Sequence, residues 1–237
     1  CNAFVEKFLN GDGSIENGFQ SAYALALDFN MLPDNMGVNA AEHLAADVKD
    51  NDNHLTTGFL GTPSLCFALS DNNHADTAID LLLQESCPSW LYPVKKGATT
   101  IWERWDALKE DGSINEEKQG SDNMVSFNHY AYGAIGDWMY RRLGGIDICD
   151  SEPGFKKIKY SPYITDRLDF VSVAYECMYG LIEARWERKD GKVNIEITIP
   201  PNTKARIMLP DSQIYTTLCN GGGLEKCAHI SSIEAGS

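Results

Sequence analysis

The chain has 237 residues, 43% of them apolar, which suits one large globular domain or two modest ones. Its 34 acidic against 20 basic residues leave a net charge of −14, in no long run, which argues against a polyanionic partner such as nucleic acid or anionic lipid and favours a neutral small molecule. No stretch reaches the roughly 18–20 continuous apolar residues of a membrane helix, and seven scattered cysteines with neither a CxxC pair nor zinc spacing read as reduced thiols.

The chain enters at Cys1 directly into the helical Phe4 to Leu9 segment, so a longer protein is expected around it. Phe19 to Leu27 is apolar and Ala-rich on nearly every side, the pattern of a buried helix, and Pro33 stops it. Asn39 to Val48 instead places Ala41, Leu44, Ala45 and Val48 on one face, as in an outer, half-exposed helix. The alternation repeats: Pro63 to Leu69 reads as buried, Ala75 to Leu83 as amphipathic, and Phe127 to Leu143 as one long helix rich in small and aromatic residues. Pairs of one buried and one amphipathic helix describe half of an (α/α) toroid better than a four-helix bundle, whose helices are all half exposed.

Near residue 150 the period changes from helical to two, which sets the expected boundary between a helical domain, 1–150, and an antiparallel β-sandwich, 151–237. Phe170 to Tyr175 and Leu181 to Trp186 alternate, Asp190-Gly191 is a hairpin signal, and Val193, Ile195, Ile197 and Ile199 share one face. Pro200-Pro201-Asn202 turns the chain into a returning strand through Ala205, Ile207 and Leu209, which completes an antiparallel meander. The Gly-rich tail from Ser212 carries little pattern, and only Cys219 and Cys227 leave a disulfide open.

The two longest irregular segments, Asn51 to Thr62 and Glu85 to Ser126, each precede a buried helix, and loops this long in a compact domain usually serve function. The second holds Trp102-Glu103-Arg104-Trp105. A carboxylate between two indoles suits glycoside cleavage, because aromatic faces cover the apolar face of a sugar while the carboxylate serves as base or nucleophile. The competing reading packs both tryptophans in the core and pairs Glu103 with Arg104, and spacing alone leaves the two open.

In Ser126-Phe127-Asn128-His129-Tyr130, Ser126 or Asn128 is expected to cap the last buried helix, with His129 in its first turn, aimed at a sugar hydroxyl or held in the core. Trp90 and Tyr92 suit a saccharide platform or core packing. Asp147, Asp150 and Glu152 lack EF-hand spacing and read as solvated linker. No GxSxG elbow or HExxH helix is present, and no motif calls for a cofactor or a metal.

Gly97 to Asp106, with its Thr-Thr-Ile-Trp-Glu-Arg-Trp-Asp core, and Ser126-Phe127-Asn128-His129-Tyr130-Ala131-Tyr132-Gly133 together resemble the bacterial α-L-rhamnosidases. Phe8 to Ser14, Gln20 to Leu27, His54 to Pro63 and Ile199 to Thr203 support the resemblance, which extends over roughly residues 3 to 211. It implies an (α/α)6 catalytic barrel and an inverting hydrolase of rhamnose-containing glycosides. Glu103 would be the base that activates water, His129 a contact to the rhamnose ring, and Trp102 or Trp105 part of the wall of the sugar site. The family's general acid lies in an earlier carboxylate-rich segment ahead of a Gly-Trp, with no counterpart here, so a fragment missing the other half of its barrel, inactive alone, is expected. Another (α/α)-barrel carbohydrate enzyme, a glucoamylase-like hydrolase or a lyase, and a non-catalytic sugar-binding protein are the competing expectations. The unpaired cysteines lean toward the cytoplasm, while any export signal would lie outside this stretch.

Overall fold

The computed structural model describes residues 2–116, 125–149, 151–209 and 217–233. The chain divides into two compact units, Cys1–Trp138 and Met139–Ser237.

The first unit is helical: α1 (Asn2–Phe8), α2 (Gln20–Asp28), α3 (Asp34–Asp50), α4 (Thr62–Ser70), α5 (Ala75–Leu83), the short α6 (Leu91–Lys95) and α7 (Ile135–Trp138). Helix α4 buries seven of its residues, Thr62 and Ser64 to Leu69, and packs against α2, α3 and α5. Its neighbour α3 buries a single face of Ala40, Ala41, Leu44, Ala45 and Val48, as its spacing predicts. Gly61, at the start of α4, lets that helix meet α2 closely, since a Cβ there would lie 2.6 Å from that of Ser21. The indole of Trp138, on α7, donates to Ser70 Oγ at 2.8 Å and ties α7 to the end of α4.

The run expected as one long helix from Phe127 to Leu143 is broken. A 3₁₀ turn at Ala131–Ala134 precedes α7, and a π turn at Met139–Leu143 follows it. Gly133 and Gly136 weaken a continuous helix, and the Gly144 N–H closes the wide turn by donating to the Met139 carbonyl at 2.8 Å.

The second unit holds β1 (Ile146–Ile148), β2 (Lys157–Tyr160), β3 (Phe170–Cys177), β4 (Gly180–Lys189), β5 (Lys192–Thr198), β6 (Lys204–Ile207), β7 (Leu218–Cys219) and β8 (Gly222–Gly223). Two three-stranded sheets, β1-β2-β6 and β3-β4-β5, share a core of Ile146, Ile158, Tyr160, Ile182 and Ala184. Ile195, Ile197 and Ile199 pack on it as expected, whereas Val193 is exposed. Asp190 and Gly191 both adopt positive φ, 52° and 69°, which the β4–β5 hairpin requires. The expected meander differs at its last strand. After the Pro200 to Asn202 turn, β6 does not return beside β5 but crosses to the other sheet and pairs in parallel with β2, Ile158 opposite Ala205. Period-two alternation orients the faces of a strand and carries no information about which edge it joins.

Asp147 also departs from expectation. It is buried, and its two oxygens take Arg141 Nε at 3.0 Å and Arg142 Nη1 at 3.2 Å, so it is a paired structural carboxylate rather than solvated linker. Asp150 lies outside the described residues.

Candidate functional site

Four loop segments of the helical unit converge. The first is anchored by Gln20 at the start of α2, a wholly buried amide that donates to the His54 carbonyl at 3.1 Å and accepts the Thr56 N–H at 2.7 Å. A second clasp, Thr57 Oγ1 to Thr62 Oγ1 at 2.7 Å, closes the loop and leaves Phe59 and Leu60 exposed at its tip. His54 is taken up by this scaffold, its ring nitrogens engaging the Asn51 carbonyl and Ser86 Oγ.

Segments 100–103 and 126–129 lie side by side. The Glu103 N–H donates to the Ser126 carbonyl at 2.9 Å, the His129 N–H donates to the Ile101 carbonyl at 2.8 Å, and the Thr100 hydroxyl donates to the Phe127 carbonyl. Glu103 and His129, far apart in sequence, are held on adjacent stretches of backbone by these bonds.

The Glu103 carboxylate accepts the Ser126 N–H on Oε2 at 3.0 Å, and among the described residues it has no ion pair. Its sequence neighbour Arg104, only 9% exposed, turns instead to Asp106, with Nε to Oδ1 and Nη2 to Oδ2 both 3.1 Å, and Asn115 Nδ2 adds a bond to Oδ2 at 2.7 Å. The pairing of Glu103 with Arg104 that the sequence left open is therefore not what forms. Among the described residues the other Glu103 oxygen has no partner, while Arg104 bonds to Asp106.

His129 sits ahead of the 3₁₀ turn, and neither Ser126 nor Asn128 caps it. The first free N–H, that of Ala131, is met by His129 Nδ1 at 3.3 Å. A Nδ1 that accepts leaves the ring proton on Nε2, so the neutral imidazole presents Nε2–H as a donor. Ser126 Oγ accepts the Asn128 N–H at 3.2 Å and stitches the approach instead.

A continuous run of rings links all four segments. Trp90 meets Trp105 edge-on with centroids 5.5 Å apart, Trp105 stacks on Tyr132 at 3.8 Å, and Tyr132 leans on Phe59 at 5.0 Å. Phe59 then stacks on His129 at 4.7 Å, and His129 on Tyr130 at 5.3 Å. Trp90 and Tyr92 are buried, and Trp90 donates to the Tyr132 carbonyl at 2.9 Å, so both belong to the support rather than to an open platform. Trp102 is 5% exposed and forms a T-shaped pair with Phe127, whereas Trp105 is half-buried. Tyr132 is the component the sequence reading did not single out, because an aromatic in an apolar periodic run reads as core.

Among the described residues no group of three or more His, Cys, Asp or Glu side chains is placed to hold a metal ion. Cys66, a core residue, has its thiol pushed up to about 12 by burial. Tyr132 is also raised, first by burial and then by the charges of Asp106 and Glu103.

Residues 1–143 match the model of the bacterial α-L-rhamnosidase 6 hairpin glycosidase domain, and residues 145–218 that of the bacterial α-L-rhamnosidase C-terminal domain. An α-L-rhamnosidase of Formosa agariphila is 40% identical over 209 residues, 88% of this chain and 22% of that one. The crystal structure of Streptomyces avermitilis α-L-rhamnosidase complexed with L-rhamnose superposes with a TM-score of 0.79 at 38% identity, covering 86% of this chain and 19% of the other. That of the Aspergillus terreus enzyme reaches 0.82 at 34% identity, covering 88% and 24%. The chain thus spans about a fifth of the length of the relatives it matches.

Proposed function

The chain belongs to the bacterial α-L-rhamnosidase family, and we propose that it forms part of a glycoside hydrolase that cleaves terminal α-L-rhamnosides with inversion. In this reading Glu103 is the general base that takes a proton from water, and His129 donates from Nε2 to a hydroxyl of the rhamnose ring. Trp105 contributes to the wall of the site, and Trp102 backs the loop. The observation that carries the proposal is the state of Glu103: one oxygen oriented by the Ser126 N–H, the other without a partner among the described residues, beside a run of stacked rings. A base needs that arrangement, because a carboxylate neutralised by Arg104 would be a poor proton acceptor. The acid that protonates the leaving oxygen is assigned to none of these residues. In inverting enzymes it stands about 6.5–9.5 Å from the base.

The test is Glu103→Gln in the active polypeptide that carries these residues, assayed on an aryl α-L-rhamnoside. The expected outcome is a loss in kcat of about 10³-fold with rhamnose binding retained. An unchanged rate removes Glu103 from the reaction.

A further inference from the structure

Tyr132 combines two properties that a packing residue does not need together. Its ring is only 7% exposed, held by Trp105 on one side and Phe59 on another, with its carbonyl fixed by the Trp90 indole. Its hydroxyl nevertheless has no hydrogen-bond partner among the described residues. A clamped ring with an unpartnered hydroxyl is a preorganised hydrogen-bonding group, since little side-chain freedom is left to lose when something binds there.

Its place in the site is given by its neighbours. Trp105, two residues beyond Glu103, stacks on Tyr132 at 3.8 Å, and Phe59 contacts both Tyr132 and the His129 ring. Burial first, and then the charges of Asp106 and Glu103, raise the phenol above its ordinary range and favour its neutral form. No direct bond joins the phenol to Glu103, whose described side-chain bond goes to Ser126.

We propose that Tyr132 is a positioning residue whose hydroxyl binds the water that Glu103 activates, an inference that rests on the reading of Glu103 as the base. The water gives one proton to the Glu103 carboxylate and its other O–H points to the Tyr132 oxygen, which aims the oxygen lone pair at the anomeric carbon. As the new C–O bond forms, the glycosidic C–O bond breaks and its oxygen takes a proton from the acid. Tyr132 keeps its own proton throughout.

The test is Tyr132→Phe in the active polypeptide, which keeps the ring and its stacking and removes only the hydroxyl. The expected result is a fall in kcat of about 10²-fold, with KM and the Kd for free rhamnose, read by calorimetry, changed less than about twofold. A second variant, 3-fluorotyrosine at position 132, preserves the shape and weakens the oxygen as an acceptor, and it should lower kcat in the same direction with KM unmoved. An unchanged kcat in Tyr132→Phe overturns the inference. So does a loss that appears only in KM and rhamnose affinity, which would make Tyr132 a sugar contact. Glu103→Gln is measured in parallel. If it keeps its rate, the reading of the base fails, whereas if it loses its rate while Tyr132→Phe does not, only the role of Tyr132 fails.

Discussion

Adjacent residues in the Trp102 to Asp106 loop take opposite roles. Arg104 is buried and bonded through two nitrogens to Asp106, and one oxygen of Glu103 has no partner among the described residues. The pair's main effect on Glu103 is to withdraw a competing cation. Asp106→Ala is expected to destabilise the protein by about 1–3 kcal/mol, because it removes bonds from a buried guanidinium and from Asn115, a loss read by thermal or denaturant unfolding. His129 illustrates the same economy, since its Nδ1 satisfies the Ala131 N–H and thereby selects the proton on Nε2. His129→Ala should weaken rhamnose binding by about tenfold, roughly 1.4 kcal/mol, and a Gln there, which can offer an amide N–H, should recover part of it. Calorimetry checks both. Equal affinity in wild type and His129→Ala would remove the sugar contact. The residue types at 103 and 129 were legible from motif and chemistry, but the partners that set their states were not. Arg104 has carboxylates on either side in sequence, and only backbone geometry decides that it reaches Asp106.

At the level of elements, the alternation of buried and amphipathic helices was readable because burial leaves a period in the sequence. The fine path was not. Gly61 is one example: nothing in Gly58-Phe59-Leu60-Gly61 says that the second glycine is where α4 meets α2. Gly61→Ala would bring a Cβ to 2.3 Å from Ser21 Oγ and 2.9 Å from its Cα, so a backbone atom as well as a side chain must move. We expect a loss of about 1–3 kcal/mol, measured as a lower melting temperature, and a partial recovery when Ser21→Gly is added. In the β unit, the Tyr160 hydroxyl is buried with no partner among the described residues, and burial raises its phenol to about 12. An unfolded tyrosine ionises near pH 10. Between about 10 and 12 the unfolded chain therefore releases a proton that the folded one retains, and stability falls as pH rises through that window. Melting temperatures followed from pH 9 to 12 should drop less steeply in Tyr160→Phe than in the wild type. Parallel curves would show that this tyrosine does not drive the alkaline loss.

For the molecule as a whole, the net charge of −14 and the absence of any long basic run argue against a polyanionic partner. In the proposed reading Glu103 is the base and no residue of the 237 is assigned as the acid, so the chain on its own should hydrolyse an aryl α-L-rhamnoside no faster than its Glu103→Gln variant does. Turnover by the chain that Glu103→Gln abolishes would show that the acid lies within these residues. Helical and β architecture followed from sequence, because buried helices and alternating strands leave local patterns that no distant residue is needed to read, and the family followed from the resemblance carried by the Gly97 to Asp106 and Ser126 to Gly133 segments. Tertiary structure alone decided that Arg104 pairs with Asp106, that β6 crosses to β2, that the last helix breaks into 3₁₀, α and π turns, and that Tyr132 stands in the run of rings. Each depends on which of several chemically equivalent neighbours arrives in space, and that choice is made by long-range packing, which leaves no period in the chain.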